Sequence, residues 1–103
     1  MKRFLITYTF RLEPAAEAEW HGIVAAFIAA IDGDPALKGR VSYRCMKAKD
    51  GLAYYHLAEV VDDDAVKALN ERAFFKRYTE ETKRVAGGAV TVTPLETIAE
   101  TGS

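Results

Sequence analysis

The dipeptide Asp50-Gly51 separates two runs, Val41–Lys47 and Ala53–Val61, that are rich in residues suited to a pleated, half-buried surface. Asp-Gly between such runs signals a tight hairpin, because glycine supplies the positive φ that the turn's twist demands. A tight turn there sets the pairing. Cys45 faces His56, Tyr43 faces Ala58 and Val41 faces Val60 on one side. Met46 with Tyr55, Arg44 with Leu57 and Ser42 with Glu59 share the other. A bulge would slip this register by one residue and exchange the two faces, so the hairpin constrains the fold more than any other feature.

The remaining elements follow from period. Residues 3–12, RFLITYTFRL, alternate, with Phe4, Ile6, Tyr8, Phe10 and Leu12 on one face of a strand. Pro14 suits a helix entry. From Ala15 to Ile31 the set Ala16, Trp20, Val24, Phe27, Ile28 and Ile31 forms one helical stripe, and Asp32-Gly33-Asp34-Pro35 ends it. Asp62-Asp63-Asp64 offers N-caps and favourable charge to a helix that runs to about Val85, where Gly87-Gly88 stops it. Ala89–Glu96 reads as a last strand, with Val90 and Val92 alternating against Thr91 and Thr93.

The stretch LNERAFFKRYTEETKRVAGG, residues 69–88, does not fit one straight helix. Val66, Leu69 and Ala73 lie together, but Phe74, Tyr78 and Val85 sit about 100° away, and Phe75 lies further round. A break near Glu71–Ala73 would give two half-helices in separate phase. Lys76, Arg77, Lys83 and Arg84, interleaved with Glu80 and Glu81, read as a solvated helix face.

The order is β-α-β-β-α-β. It predicts an α+β, ferredoxin-like domain over residues 1–98, with a four-stranded antiparallel sheet, helices on one face and a loose tail over 99–103. The helix-facing side takes Phe4, Ile6, Tyr8, Phe10, Val41, Tyr43, Cys45, His56, Ala58, Val60, Val90 and Val92. The other side mixes Leu5, Met46, Tyr55, Leu57 and Leu95 with an Arg44/Glu59 pair. That face is too apolar to be merely wet, which suggests contact with a second copy.

With 103 residues the chain makes one domain, and its formal charge of −1, with basic residues scattered among acids, leaves no stripe for nucleic acid. Cys45 is the only cysteine, so an internal disulfide is impossible. Cys45 and His56 are two ligands, short of what zinc needs, and no metal site is expected. No apolar run approaches the ~20 residues that span a bilayer. The opening Met-Lys-Arg-Phe-Leu-Ile briefly imitates a signal peptide but is broken by Thr7, Thr9, Arg11 and Glu13. A cytoplasmic protein with no membrane partner is the expectation.

In size and element order, nearly the whole chain resembles the antibiotic-biosynthesis-monooxygenase-like family of the dimeric α+β barrel superfamily. The most specific stretch is AEVVDDDAVKALNERAFFKRYTEETKRVAGG, residues 58–88, which looks like the family's acidic strand end, short helix, break and aromatic-bearing helix. The resemblance implies a homodimer through the open sheet face, with a ligand cavity between sheet and helices in each protomer. It implies oxygenases of quinols and anthrones that use O2 without metal or flavin; other members degrade haem. Two family histidines are replaced here, at Leu69 and Phe74, while Asn70 stands where a family asparagine often does. The second helix has no histidine to ligate haem iron.

His56 is the sharpest candidate, placed by the hairpin register beside Cys45, Tyr43, Tyr8 and Tyr54. A neutral imidazole there can take a proton from a phenolic substrate; it can equally be a core histidine bonded to a tyrosine. Tyr8, Tyr43 and Tyr78 either orient a flat aromatic ligand or put polar tips on a core. Asn70 either holds a substrate oxygen or caps the helix break. Trp20 and Phe74 favour packing, with stacking on a ligand as the alternative. No oxyanion-hole motif accompanies Cys45, which counts against a nucleophile and leaves it a pocket-lining role. His21 is expected to face solvent. The leading expectation is a cofactor-independent monooxygenase acting with O2 on a quinol or polyphenol, with His56 as base and Asn70 assisting. The alternative is a dimeric small-molecule-binding protein without chemistry, holding a small aromatic ligand on the same scaffold.

Overall fold

The structure, a computed structural model, describes residues 1–102. Strand β1 (Lys2–Thr9) leads through a 3-10 turn (Pro14–Ala16) into helix α1 (Glu17–Asp32). Strands β2 (Val41–Lys47) and β3 (Ala53–Val60) follow, then helices α2 (Asp63–Asn70) and α3 (Ala73–Val85), and strand β4 (Thr91–Leu95). The four strands lie in the order β2-β3-β1-β4, all antiparallel. This is the ferredoxin-like α+β arrangement.

The hairpin register is the one that Asp50-Gly51 sets: Cys45 pairs with His56, Tyr43 with Ala58 and Met46 with Tyr55. The tip is wider than a tight two-residue turn. Ala48 N–H donates to the Ala53 carbonyl at 2.9 Å, leaving 49–52 as the loop. Losing the outermost pair opens the tip symmetrically, so the faces do not exchange.

Strand β1 ends before Leu12 because the chain then finds other partners. Phe10 N–H donates to the Leu52 carbonyl at 2.8 Å and Arg11 N–H to the Val85 carbonyl at 2.7 Å. The second helical segment is broken as its phase predicts: Arg72 is extended, at φ −76° and ψ 131°. Asp62 caps α2 by accepting from Ala65 N–H at 2.8 Å. Gly87 and Gly88, at φ 64° and 89°, end the chain's helical course after α3.

The core lies between the sheet and the helices and holds Tyr8, Phe10, Trp20, Phe27, Leu37, Tyr54 and Val85. Leu37, from the connection between α1 and β2, is fully buried there. Val92 is a correction to the buried face. It pairs with Ile6 on the helix side but is 58% exposed, because β4 is an edge strand bordering a cavity. The expected Arg44/Glu59 pair is a second correction. Glu59 is bound by Arg3, its direct neighbour across β1 and β3, at 2.8 Å. On the other side of the sheet Met46, Tyr55 and Leu95 are exposed beside half-buried Leu5 and Leu57. Among the described residues no helix is long and apolar enough to cross a membrane.

Candidate active site

His56 stands in mid-β3 and is fully buried. Tyr8 Oη lies 2.8 Å and Cys45 Sγ 3.1 Å from its Nε2, while Tyr43 Oη lies 2.6 Å and Tyr78 Oη 3.0 Å from its Nδ1. The two latter hydroxyls are 3.0 Å apart. Trp20 Nε1–H donates to Tyr8 Oη at 2.8 Å. The polar knot draws on β1, β2, β3, α1 and α3.

Local structure explains the convergence. Alternation puts Tyr8, Tyr43, Cys45 and His56 on the helix-facing side of three adjacent strands. Helix α1 supplies two clamps. The Phe27 ring stacks on Tyr78 at 3.8 Å and 1°, and Trp20 lies nearly parallel to Tyr78 at 5.8 Å and 10°. Tyr78 is thereby held with its hydroxyl on the imidazole.

Burial decides the protonation. Desolvation lowers the His56 pKa to about 4, so the ring is neutral at neutral pH. The same cause raises Tyr8, Tyr43 and Tyr78 well above the ordinary phenol range and pushes the Cys45 thiol up to about 11. At neutral pH all of these side chains keep their protons.

Beside the knot is a cavity of about 490 Å³ between the sheet and helices α2 and α3. Phe4, Ile6, Ala58, Val60, Val66, Leu69, Phe75, Val90 and Val92 form its apolar wall, and Tyr43, Tyr78, Asn70, Thr79, Thr82 and Lys83 are its polar members. The threonine hydroxyls are already committed to their own helix: Thr79 donates to the Lys76 carbonyl and Thr82 to the Tyr78 carbonyl, each at 2.8 Å.

Of the residues singled out in the sequence, Tyr43, Tyr78 and Asn70 line this cavity. His56, Cys45 and Trp20 do not; they stand behind the tyrosines. Tyr8 joins the knot and edges a separate hollow of about 410 Å³ with Arg11, Tyr54 and Ala86. Phe74 packs on Phe27 at 6.0 Å, outside the cavity, and its neighbour Phe75 is the lining residue. Asn70 is exposed at the end of α2. Thr79 and Lys83 were not anticipated, although Phe75, Thr79, Thr82 and Lys83 share one helical stripe that was readable in the sequence.

A second polar group lies at the hairpin end. Tyr54 donates to the Glu17 carboxylate, His21 Nε2 is 2.7 Å from the Tyr54 hydroxyl, and Lys47 Nζ reaches Glu17 at 2.7 Å. Hydrogen bonds from Lys47 and then Tyr54 hold the Glu17 carboxyl below its ordinary range. His21 is exposed, as expected, but anchored to Tyr54.

No protein-family model matches the chain. No curated protein matches it either. Solved structures do. A variant of SnoaB, a cofactor-independent oxygenase from Streptomyces nogalater, superposes with a TM-score of 0.77 at 16% identity, over 99% of this chain and 97% of that one. Rv0793 from Mycobacterium tuberculosis matches at 0.75 and 16%, over 98% of each chain. An antibiotic biosynthesis monooxygenase matches at 0.74 and 12%, over 96% of this chain and 100% of that one. At such identities the likeness is one of fold, and it spans both chains almost completely. The chain therefore has the α+β fold of the antibiotic biosynthesis monooxygenase structures, the fold its sequence resemblance implied.

Proposed function

We propose that the protein is a cofactor-independent monooxygenase acting with O2 on a phenolic, quinol-type aromatic substrate. One observation carries this reading. An apolar cavity of about 490 Å³ is lined by two tyrosines, Tyr43 and Tyr78, whose hydroxyls both lie on a buried neutral imidazole. The solved structures of the same fold include a cofactor-independent oxygenase, which agrees with it.

The aromatic body of the substrate fills the apolar wall, and its ionised oxygen accepts from the one hydroxyl of the Tyr43–Tyr78 pair that has a proton to spare. Such an anion is electron-rich enough to reduce O2. The substrate supplies all four electrons that O2 takes up: two go to the oxygen atom that enters the product, and two, with two substrate hydrogens, go to the atom that leaves as water. The protein contributes orientation, exclusion of water and stabilisation of the anion. Tyr43 and Tyr78 touch the substrate, and Asn70 meets it at the rim. In this reading His56 does not meet the substrate. It is a positioning residue that holds the two hydroxyls, which replaces the part of base suggested by its sequence position.

The test is O2 uptake by the metal-free protein over a panel of hydroquinones and anthrone-like phenols, with the Tyr43→Phe/Tyr78→Phe double variant alongside. Uptake by the parent protein that the double variant lacks supports the reading. Equal uptake by both removes the site from it.

A second reading rests on the same proton-holding character. No side chain that lines the cavity accepts a proton readily at neutral pH, which suits a small-molecule-binding protein without chemistry. An aromatic ligand bound stoichiometrically and recovered unchanged from aerated solution would favour it. In either reading the protein works as a homodimer through the open sheet face, where Met46, Tyr55 and Leu95 are exposed around Leu5 and Leu57. Leu57→Arg should then halve the mass seen in sedimentation; an unchanged mass would refute that interface.

A further inference from the structure

The hydrogen bonds around His56 leave a countable surplus. The indole of Trp20 can only donate, and it donates to Tyr8 Oη. The Tyr8 hydroxyl is buried, and its remaining partner is His56 Nε2. A buried O–H without an acceptor is costly, so the Tyr8 proton is given to Nε2. Nε2 is then bare, and the Cys45 thiol at 3.1 Å shares its lone pair. A neutral ring with a bare Nε2 carries its proton on Nδ1.

Nδ1–H therefore points at Tyr43 and Tyr78 as a donor. It donates to Tyr43 Oη, the nearer oxygen at 2.6 Å. Two hydroxyl protons remain, on Tyr43 and Tyr78, with one oxygen–oxygen contact of 3.0 Å between them. One proton fills that contact. The other has no acceptor in the knot, because the facing ring nitrogen is occupied. Both tyrosines line the cavity, so the surplus proton is offered there.

The other polar lining groups act in the same sense. The threonine protons are spent on backbone carbonyls, and Lys83 is the one charged residue of the lining, without a carboxylate beside it there. We infer that the Trp20–Tyr8–His56 chain sets the cavity as a hydrogen-bond donor, and that it selects a planar aromatic ligand presenting an acceptor oxygen, as phenolate, enolate or quinone carbonyl, at Tyr43 and Tyr78. This deepens the proposed function and rests on the same cavity, but it concerns binding and does not require oxygen chemistry.

Two measurements test it. Long-range proton–nitrogen NMR reads the tautomer of His56 directly, and the chain has only two histidines to assign. Protonated Nδ1 is expected; protonated Nε2 overturns the inference. The second uses 4-nitrophenol as a redox-inert probe in anaerobic buffer at fixed pH. Charge-assisted hydrogen bonds are about twice as strong as neutral ones, so bound probe should favour phenolate by roughly tenfold over free probe, seen as its yellow absorbance.

The variants behave in an unusual pattern. In Tyr43→Phe, Nδ1–H donates to Tyr78 and the Tyr78 proton is free for the cavity. In Tyr78→Phe the same holds for Tyr43. Each single variant should keep the phenolate preference within about threefold, and the double variant should lose it. A preference lost in both single variants, or retained in a folded double variant, overturns the inference. Phenolate preference without O2 uptake by any substrate leaves the inference standing and removes the oxygenase reading; uptake without the preference does the reverse.

Discussion

Arg72 and Asp34 form a two-pronged ion pair, with Nε to Oδ2 at 2.6 Å and Nη2 to Oδ1 at 3.3 Å. Arg72 is the extended residue that breaks α2 from α3, and Asp34 follows α1. The same carboxylate accepts from Ala36 N–H at 3.0 Å, so one side chain shapes the loop around buried Leu37 and fixes the helix break. Asp34→Ala should lower the thermal midpoint and speed amide exchange at residues 71–75. The Arg72 hydrogen bond holds the Asp34 carboxyl below its ordinary range, so this stabilisation is present above the unfolded pKa and is lost as pH falls through the folded one. Parent and variant midpoints should therefore converge in strong acid; a constant gap down to pH 2 would refute the assignment.

His56 makes the protein sensitive to milder acid. Its pKa falls from 6.5 in the unfolded chain to about 4 in the folded one. Between those values the unfolded chain binds the extra proton, so stability declines as pH drops from about 6.5 to 4. The loss is on the order of 3 kcal/mol by pH 4. Urea midpoints at pH 7, 5.5 and 4 measure it, and His56→Gln should flatten the slope in that window.

Cys45 should be a slow thiol. Burial moves its pKa from 9.0 to about 11, which cuts the thiolate fraction at pH 8 by roughly a hundredfold. Reaction with a disulfide reagent should be slower than in urea, by less than that factor from the thiolate fraction alone, because a thiolate of higher pKa is the better nucleophile. Equal rates would mean that the knot opens freely in solution.

Ala58 lines the cavity on β3, directly across from Tyr43. Ala58→Phe would place a ring in the empty space, and a cavity of about 490 Å³ can take it. Stability should change by no more than about 1 kcal/mol, the size of an ordinary tolerated core change. Binding of 4-nitrophenol should vanish. A folded variant that still binds it would place the ligand elsewhere.

Much of this architecture was readable because it is written in short-range period. The hairpin register follows from Asp50-Gly51 and alternation, and it alone brings Cys45 and Tyr43 to His56. The helix break was readable because Leu69 and Phe74 cannot share a stripe on one straight helix. The roles of Phe74 and Phe75 were not separable in the same way. Both approach Phe27, at 6.0 and 6.1 Å, and which one faces the cavity depends on how α3 is rotated about its axis against α1. That rotation is set by the stacking of Tyr78 on Phe27, a contact between distant segments.

The sequence by itself determined the elements, their order, the faces of the sheet and the position of the break, since each depends on residues close along the chain. Only the tertiary structure decided that the helix–sheet space is partly open, that Asn70 sits at its rim while His56 is sealed behind two tyrosines, and that Glu59 pairs with Arg3 rather than Arg44. Those outcomes depend on side-chain directions and on how far α2 and α3 reach across β4. Period cannot encode either, because both are settled by packing between residues far apart in the chain.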